Sequence, residues 1–145
     1  MTNLKTKTPF WYWILAVFFL LWNIMGAISF YVHTFISEES FAGLSEAERE
    51  LYGDYPFWIT LVFAVAVFFG LLGSVGLILK RKWAKLAFII SICAIVPQMI
   101  HNVFFTNTIA VYGIKQAITM PILLVGIGFI LIIFSNYSIK KNWLK

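Results

Sequence analysis

The chain has 145 residues, of which 61% are hydrophobic and only 12% are charged, and its formal net charge is +5. A composition this poor in charge cannot supply the water-exposed surface of a soluble protein of this length. It therefore excludes a water-soluble domain and indicates a protein whose surface is covered by lipid.

Four apolar segments are long enough to cross a bilayer, and nearly all charged residues lie outside them. The segments comprise residues 10–32, 57–79, 84–105 and 119–137. At about 1.5 Å of rise per residue, roughly 20 helical residues cover the hydrocarbon core. Because an unpaired backbone amide is costly in lipid, each segment is predicted to be helical. The predicted fold is an all-α membrane protein, a single domain over residues 1–145 that forms an antiparallel bundle of four transmembrane helices.

Charged residues predict how the bundle is oriented. Most basic residues precede the first segment, lie between the second and third, or follow the fourth: Lys5, Lys7, Lys80, Arg81, Lys82, Lys85, Lys140, Lys141 and Lys145. The acidic residues lie in the connection between the first two segments: Glu38, Glu39, Glu46, Glu48, Glu50 and Asp54. By the positive-inside rule, both termini are predicted to be cytoplasmic, with the chain in an inner (plasma) membrane.

The basic charge is explained by contact with anionic lipid headgroups, so the predicted partner is the lipid bilayer and no nucleic-acid partner is predicted. The first apolar segment is longer than the core of a signal peptide. It is therefore expected to be an uncleaved membrane anchor.

The acidic connection contains a predicted surface helix. Ser45 and Glu48 have the spacing of a capping box, and Gly53 follows as a stop signal. We expect a short amphipathic helix that lies on the outer membrane surface or covers the bundle.

The second segment carries small residues along one helical face, namely Ala66, Gly70, Gly73 and Ser74. Small faces allow helix backbones to approach closely in lipid, so close packing against a neighbouring helix is favoured, with a solute passage as the alternative. Since four helices enclose little room for a solute, a homodimer that uses this face is a further expectation.

The third segment has the most polar sequence. Gln98, His101 and Asn102 stand at i, i+3 and i+4 and therefore share one helical face, which Ser91 extends. Pro97 removes a backbone hydrogen bond and favours a kink or a water site beside this patch.

The first segment offers a matching stripe that includes Asn23 and His33. Three interpretations are open: hydrogen bonds that only hold the helices together, a functional pocket that opens outward, or a metal or haem site. The residues predicted to bind a small polar solute are Asn23, His33, Gln98, His101 and Asn102.

The chemistry of this cluster is limited. His33 and His101 could provide two axial ligands to one haem, but nothing else in the sequence demands it, and no cofactor or metal is predicted. The sequence has no nucleophile elbow, dithiol pair, zinc-protease motif or phosphate loop, and no acidic residue within a segment. An enzyme is therefore not predicted.

Several short motifs resemble those of one family. They are Leu21 to Gly26, Ser45 to Arg49, Leu51 and Tyr52 with Pro56 and Trp58, Lys80 to Ala84, Gln98 and Met99 with His101, and Met120 with Pro121. Together they resemble a group of small bacterial four-span membrane proteins commonly labelled sugar transporters. The resemblance covers nearly the whole chain and implies sugar transport, without implying any particular site residue.

The predicted function is that of a small-solute transporter, with a sugar among the expected solutes, or a solute-binding membrane protein. The alternative is a structural or accessory membrane subunit that transports nothing. A bis-histidine haem protein is a weaker alternative.

Overall fold

The computed structural model describes residues 6–53 and 56–145, so the predictions on Lys5 and Asp54 lie outside the described residues. The described residues are largely helical and contain no strand. The helices in chain order are α1 (Phe10–Thr34), α2 (Glu38–Ala42), α3 (Glu46–Gly53), α4 (Phe57–Ile78), α5 (Trp83–Phe104), α6 (Thr108–Tyr112) and α7 (Ile114–Lys140).

The helices α1, α4, α5 and α7 are long and apolar enough to cross a membrane, and they confirm the four predicted spans. Large apolar side chains stay exposed on the outward faces of these helices, for example Phe18, Phe68, Leu86 and Ile133. Since such surfaces are stable only in contact with lipid, the chain is a multi-pass integral membrane protein with an all-α bundle fold.

The last long helix extends beyond its predicted apolar segment, residues 119–137. It begins at Ile114, after Gly113 with φ of 83°. The hydroxyl of Thr119, inside the helix, donates to the carbonyl of Lys115 one turn earlier (2.6 Å). Pro121 is accommodated inside the helix, which is common where neighbouring groups in a membrane protein tolerate the lost hydrogen bond.

Close packing explains the glycine-rich face of α4. A Cβ atom added at Gly73 would lie 2.6 Å from the ring of Phe88, and one added at Gly76 would lie 2.9 Å from the Cβ of Ala84. The packing interpretation is therefore confirmed for Gly73, while Ala66 and Gly70 of the same face line a cavity. Because α5 covers this face within the same chain, a homodimer would have to use another surface.

The bundle is closed at the end that carries the α4–α5 turn and the C-terminal residues, which we call the basic end. Tyr12 and Phe19 of α1 pack against Phe134 of α7, with ring centroids 5.4 and 6.0 Å apart. The hydroxyl of Tyr12 donates to the carbonyl of Leu77 on α4 (2.6 Å). Trp143, after α7, adds a further ring against Tyr12. The opposite end, which carries α2, α3 and α6, is called the acidic end.

Candidate functional site

A cavity of about 240 Å³ lies among the four long helices. Its lining extends along α1 from Trp22 to Ser29 and along α7 from Met120 to Leu131, and α4 and α5 complete its wall. These stretches occupy the middle of each helix and the half nearer the acidic end. The cavity therefore lies at the depth of the hydrocarbon core.

Gln98 is the most unusual polar residue on the cavity wall. Its side chain is only 2% exposed and lines the cavity, yet within the described part of the chain its amide makes no hydrogen bond. Ser91, two helical turns earlier on the same face of α5, differs because its hydroxyl donates to the carbonyl of Ala66 (2.7 Å). Buried polar groups are normally paired, and the buried atoms of the described chain that lack a partner do not include the amide atoms of Gln98. The amide therefore stays accessible from the cavity, where a bound group can pair with it.

Asn23 presents a second polar atom to the same cavity. Its side-chain nitrogen donates to the carbonyl of Phe19 (2.8 Å) and to the hydroxyl of Ser74 (2.9 Å). The carbonyl of Phe19 can only accept, which fixes the orientation of the amide and turns its oxygen toward Gly70. A Cβ at Gly70 would collide with that oxygen. Gly70 therefore makes room for Asn23, whose oxygen accepts no hydrogen bond from any residue described.

The other three predicted site residues lie nearer the acidic end and do not line the cavity. The ring of His33 stacks on Tyr52 with centroids 4.6 Å apart. His101 packs between Trp58 and Phe105, with centroid distances of 5.6 and 5.9 Å. The backbone carbonyl of Asn102 accepts from the hydroxyl of Thr106. Their participation in solute binding stays a prediction.

The described residues hold no group of three or more histidine, cysteine or acidic residues that could bind a metal ion.

The main part of the site that sequence reasoning missed is the contribution of α7, from Met120, Leu124, Ile127 and Leu131. These residues are apolar like their lipid-facing neighbours. They carry no polar side chain of the kind that distinguished Asn23 and Gln98 in the sequence.

Helix α3 lies over the acidic end and links two sides of the bundle. The stack of Tyr52 on His33 joins it to α1, and the hydroxyl of Tyr112 on α6 lies 3.4 Å from the carboxylate of Glu48. The predicted capping box is confirmed, because the Ser45 amide and hydroxyl donate to Glu48 at 3.0 and 2.8 Å. We call α3 the acidic cover.

The acidic cover should respond to pH through Glu48. The hydrogen bonds from the backbone and side chain of Ser45, in that order, hold the pKa of this carboxyl below its usual value of 4.5. A carboxyl whose pKa is lower in the folded state stabilises the fold above the unfolded pKa, and this contribution is lost as the pH falls through the folded pKa. We therefore expect amide hydrogen exchange in α3 to accelerate, beyond the intrinsic effect of pH, on acidification below 4.5.

Two variants make this prediction specific. Glu48→Ala should loosen α3 already at neutral pH and remove most of the acid response, whereas Glu50→Ala, which lacks the capping hydrogen bonds, should keep it. Equal protection factors in the wild type above and below the transition would contradict the role of Glu48.

Comparisons with protein-family models, with curated proteins and with solved structures find no match for this chain. The proposed function therefore depends on the chemistry of the cavity.

Proposed function

We propose that this integral membrane protein binds a small solute in the cavity among its four long helices, as a transporter or as a solute-binding membrane protein. One observation carries the proposal: Gln98 is only 2% exposed and lines the cavity, and its amide makes no hydrogen bond in the described chain. A bound solute would satisfy that amide.

The two polar groups of the cavity complement each other. The amide of Gln98 offers two N–H donors and one carbonyl acceptor, while the free oxygen of Asn23 offers a second acceptor. In a low-dielectric site, few polar groups suffice to orient a ligand, because each hydrogen bond there is stronger than in water. Intramembrane polar groups that face a cavity are typical of solute pathways.

A screen of small solutes for thermal stabilisation of the purified protein tests this proposal. A solute that stabilises the wild type should stabilise Gln98→Leu less and should stabilise Gln116→Leu equally, since Gln116 is exposed on α7 away from the cavity. Stabilisation that survives Gln98→Leu unchanged would place the site elsewhere. Uptake of the same solute into proteoliposomes distinguishes a transporter from a binding protein.

A structural or accessory subunit is the second candidate. The observation in its favour is that polar contacts beside the cavity tie helices together, for example from Asn23 to Ser74 and from Ser91 to Ala66. Under this alternative, no solute in the screen stabilises the wild type. The haem alternative gains no comparable support, because His33 and His101 each pack against aromatic rings.

We further propose that the protein lies in a bacterial inner membrane with its basic end in the cytoplasm. The support is the split of charge, with basic residues at one end and the acidic cover at the other. Single cysteines at Glu46 and Lys141, each in a Cys93→Ala background, test the orientation. On intact cells an impermeant thiol reagent should label position 46 and spare position 141, and the reverse pattern would invert the topology.

A further inference from the structure

We infer that the solute is a lipophilic molecule of about ten non-hydrogen atoms with a single hydrogen-bonding group, and that it reaches the cavity from the bilayer through a gap between α1 and α7. This inference rests on the proposed binding of a solute in the cavity. It departs from the sugar that the sequence resemblance implies.

The polarity of the wall limits the class of solute. Among the polar lining residues, the hydroxyl of Ser91 and the amide nitrogen of Asn23 are already engaged within the bundle. The buried wall therefore offers the amide of Gln98 and the oxygen of Asn23, the exposed Ser29 adds a hydroxyl, and most of the remaining lining is apolar. A sugar would bury several hydroxyls without partners, each at a cost of about 1–3 kcal/mol. A single hydroxyl can accept from the amide of Gln98 and donate to the oxygen of Asn23, so one such group matches the buried part of the wall.

The volume limits the size of the solute. An apolar protein cavity of about 150 Å³ holds one benzene molecule, which has six non-hydrogen atoms. By the same proportion, a cavity of about 240 Å³ holds about ten. A phenol or alcohol with a short alkyl chain has this size and polarity.

The two ends of the bundle are covered. Toward the basic end, the rings of Tyr12, Phe19 and Phe134 pack together. Over the acidic end, the acidic cover runs from the side of α1 to the side of α6, through its contacts with His33 and Tyr112. The aromatic rings therefore close the cavity toward the basic end, and the acidic cover lies over the other end.

The side of the bundle between α1 and α7 is more open. In the described chain the backbones of α1 and α4, α4 and α5, and α5 and α7 pack closely, and α1 and α7 are not among these close pairs. A Cβ added at Gly26 would meet no atom within 4 Å. Met25 and Met120 line the cavity and are 65% and 53% exposed, so they form its rim.

The rim lies at lipid depth. Met25 precedes the last residue of α1, Thr34, by about 13 Å of helix, which places it well inside the hydrocarbon core of a bilayer. Methionine side chains are unbranched and flexible, and can move aside for an apolar molecule. A solute dissolved among the lipid chains therefore meets this gap directly.

Three probes in phosphatidylcholine nanodiscs, with empty nanodiscs as the background for partitioning, test the class of solute. We expect saturable binding of 4-butylphenol, binding of butylbenzene that is about tenfold weaker because it lacks the hydroxyl, and no binding of glucose.

Gln98→Leu should lower the affinity for 4-butylphenol to that for butylbenzene, and Gln116→Leu should leave it unchanged. Gly26→Leu should fill the cavity and weaken both, whereas Gly126→Leu, in open surroundings away from the cavity, should weaken neither.

The outcomes separate this inference from the proposed function. Binding of glucose or another polar solute that depends on Gln98, without binding of 4-butylphenol, overturns the lipophilic class and leaves solute binding intact. Absence of binding by every probe and every solute in the screen overturns both. Equal affinity for 4-butylphenol in the wild type and Gln98→Leu shows that Gln98 does not recognise the hydroxyl.

Association rates test the path. Met120→Trp places a larger side chain at the rim and should slow association of 4-butylphenol several-fold. Glu48→Ala, which loosens the acidic cover, should leave the association rate unchanged. Faster association in Glu48→Ala together with a normal rate in Met120→Trp would show that the solute enters from the acidic end. Circular dichroism of each variant confirms that the bundle is folded before its rates are compared.

Discussion

Replacing Gln98 with leucine is expected to stabilise the solute-free protein while it weakens solute binding. The wild-type side chain presents an amide without a hydrogen bond in the described chain to a mostly apolar cavity, and its removal should raise the free energy of unfolding by about 1 kcal/mol. Leucine is one bond shorter than glutamine and apolar, so it suits this wall. Unfolding in mixed micelles with increasing sodium dodecyl sulfate measures the difference.

Gln116→Leu provides the matched control. Gln116 is exposed and makes no contact with the cavity, so the same chemical change there should alter the free energy of unfolding by less than about 0.5 kcal/mol. A loss of stability in Gln98→Leu would mean that the amide holds the bundle together, and would favour the accessory-subunit alternative. If Gln98 is retained for function, its replacement should raise the free energy of unfolding and lower the affinity for the solute.

Gly73→Ala is expected to destabilise the bundle by about 1–3 kcal/mol, although alanine is the better helix former. The new methyl group would lie 2.6 Å from the ring of Phe88, which is 2% exposed and has little room to retreat. Helices α4 and α5, whose backbones pack closely, would have to separate. The same unfolding titration measures the loss.

Gly126→Ala is the control for this change. A methyl group there meets no atom within 4 Å, so the variant should gain about 0.5–1 kcal/mol from helix propensity alone. If Gly73→Ala were as stable as Gly126→Ala, the two helices would not be packed through Gly73.

The sequence was sufficient to predict the four spans, because apolar length is a direct physical requirement of the bilayer. The capping box of α3 was also predictable, since Ser45 and Glu48 interact through their local spacing. The short helices α2 and α6 were not predicted. Each is five residues long, which is too short to show a helical period of hydrophobic residues.

The polar half of the cavity was predictable for a related reason. Asn23 and Gln98 are conspicuous in apolar segments, and a polar residue there needs a partner or a cavity. It was harder to predict which polar residues along a helical face reach the cavity and which lie beyond it. Gln98 and His101 share a helical face, yet only Gln98 lines the cavity, because the aromatic rings of Trp58 and Phe105 surround His101 nearer the acidic end.

The order in which the helices are synthesised has a consequence for how the cavity forms. Helix α1 is made before α4, so the amide of Asn23 gains its partner Ser74 only after α4 has been inserted. The wall of the cavity stays incomplete until α7, which is made after α5, adds its side. A nascent chain halted before α7 should therefore contain the α4–α5 packing but not the complete cavity, so the ability to hold a solute follows the packing of α4 on α5 during biosynthesis.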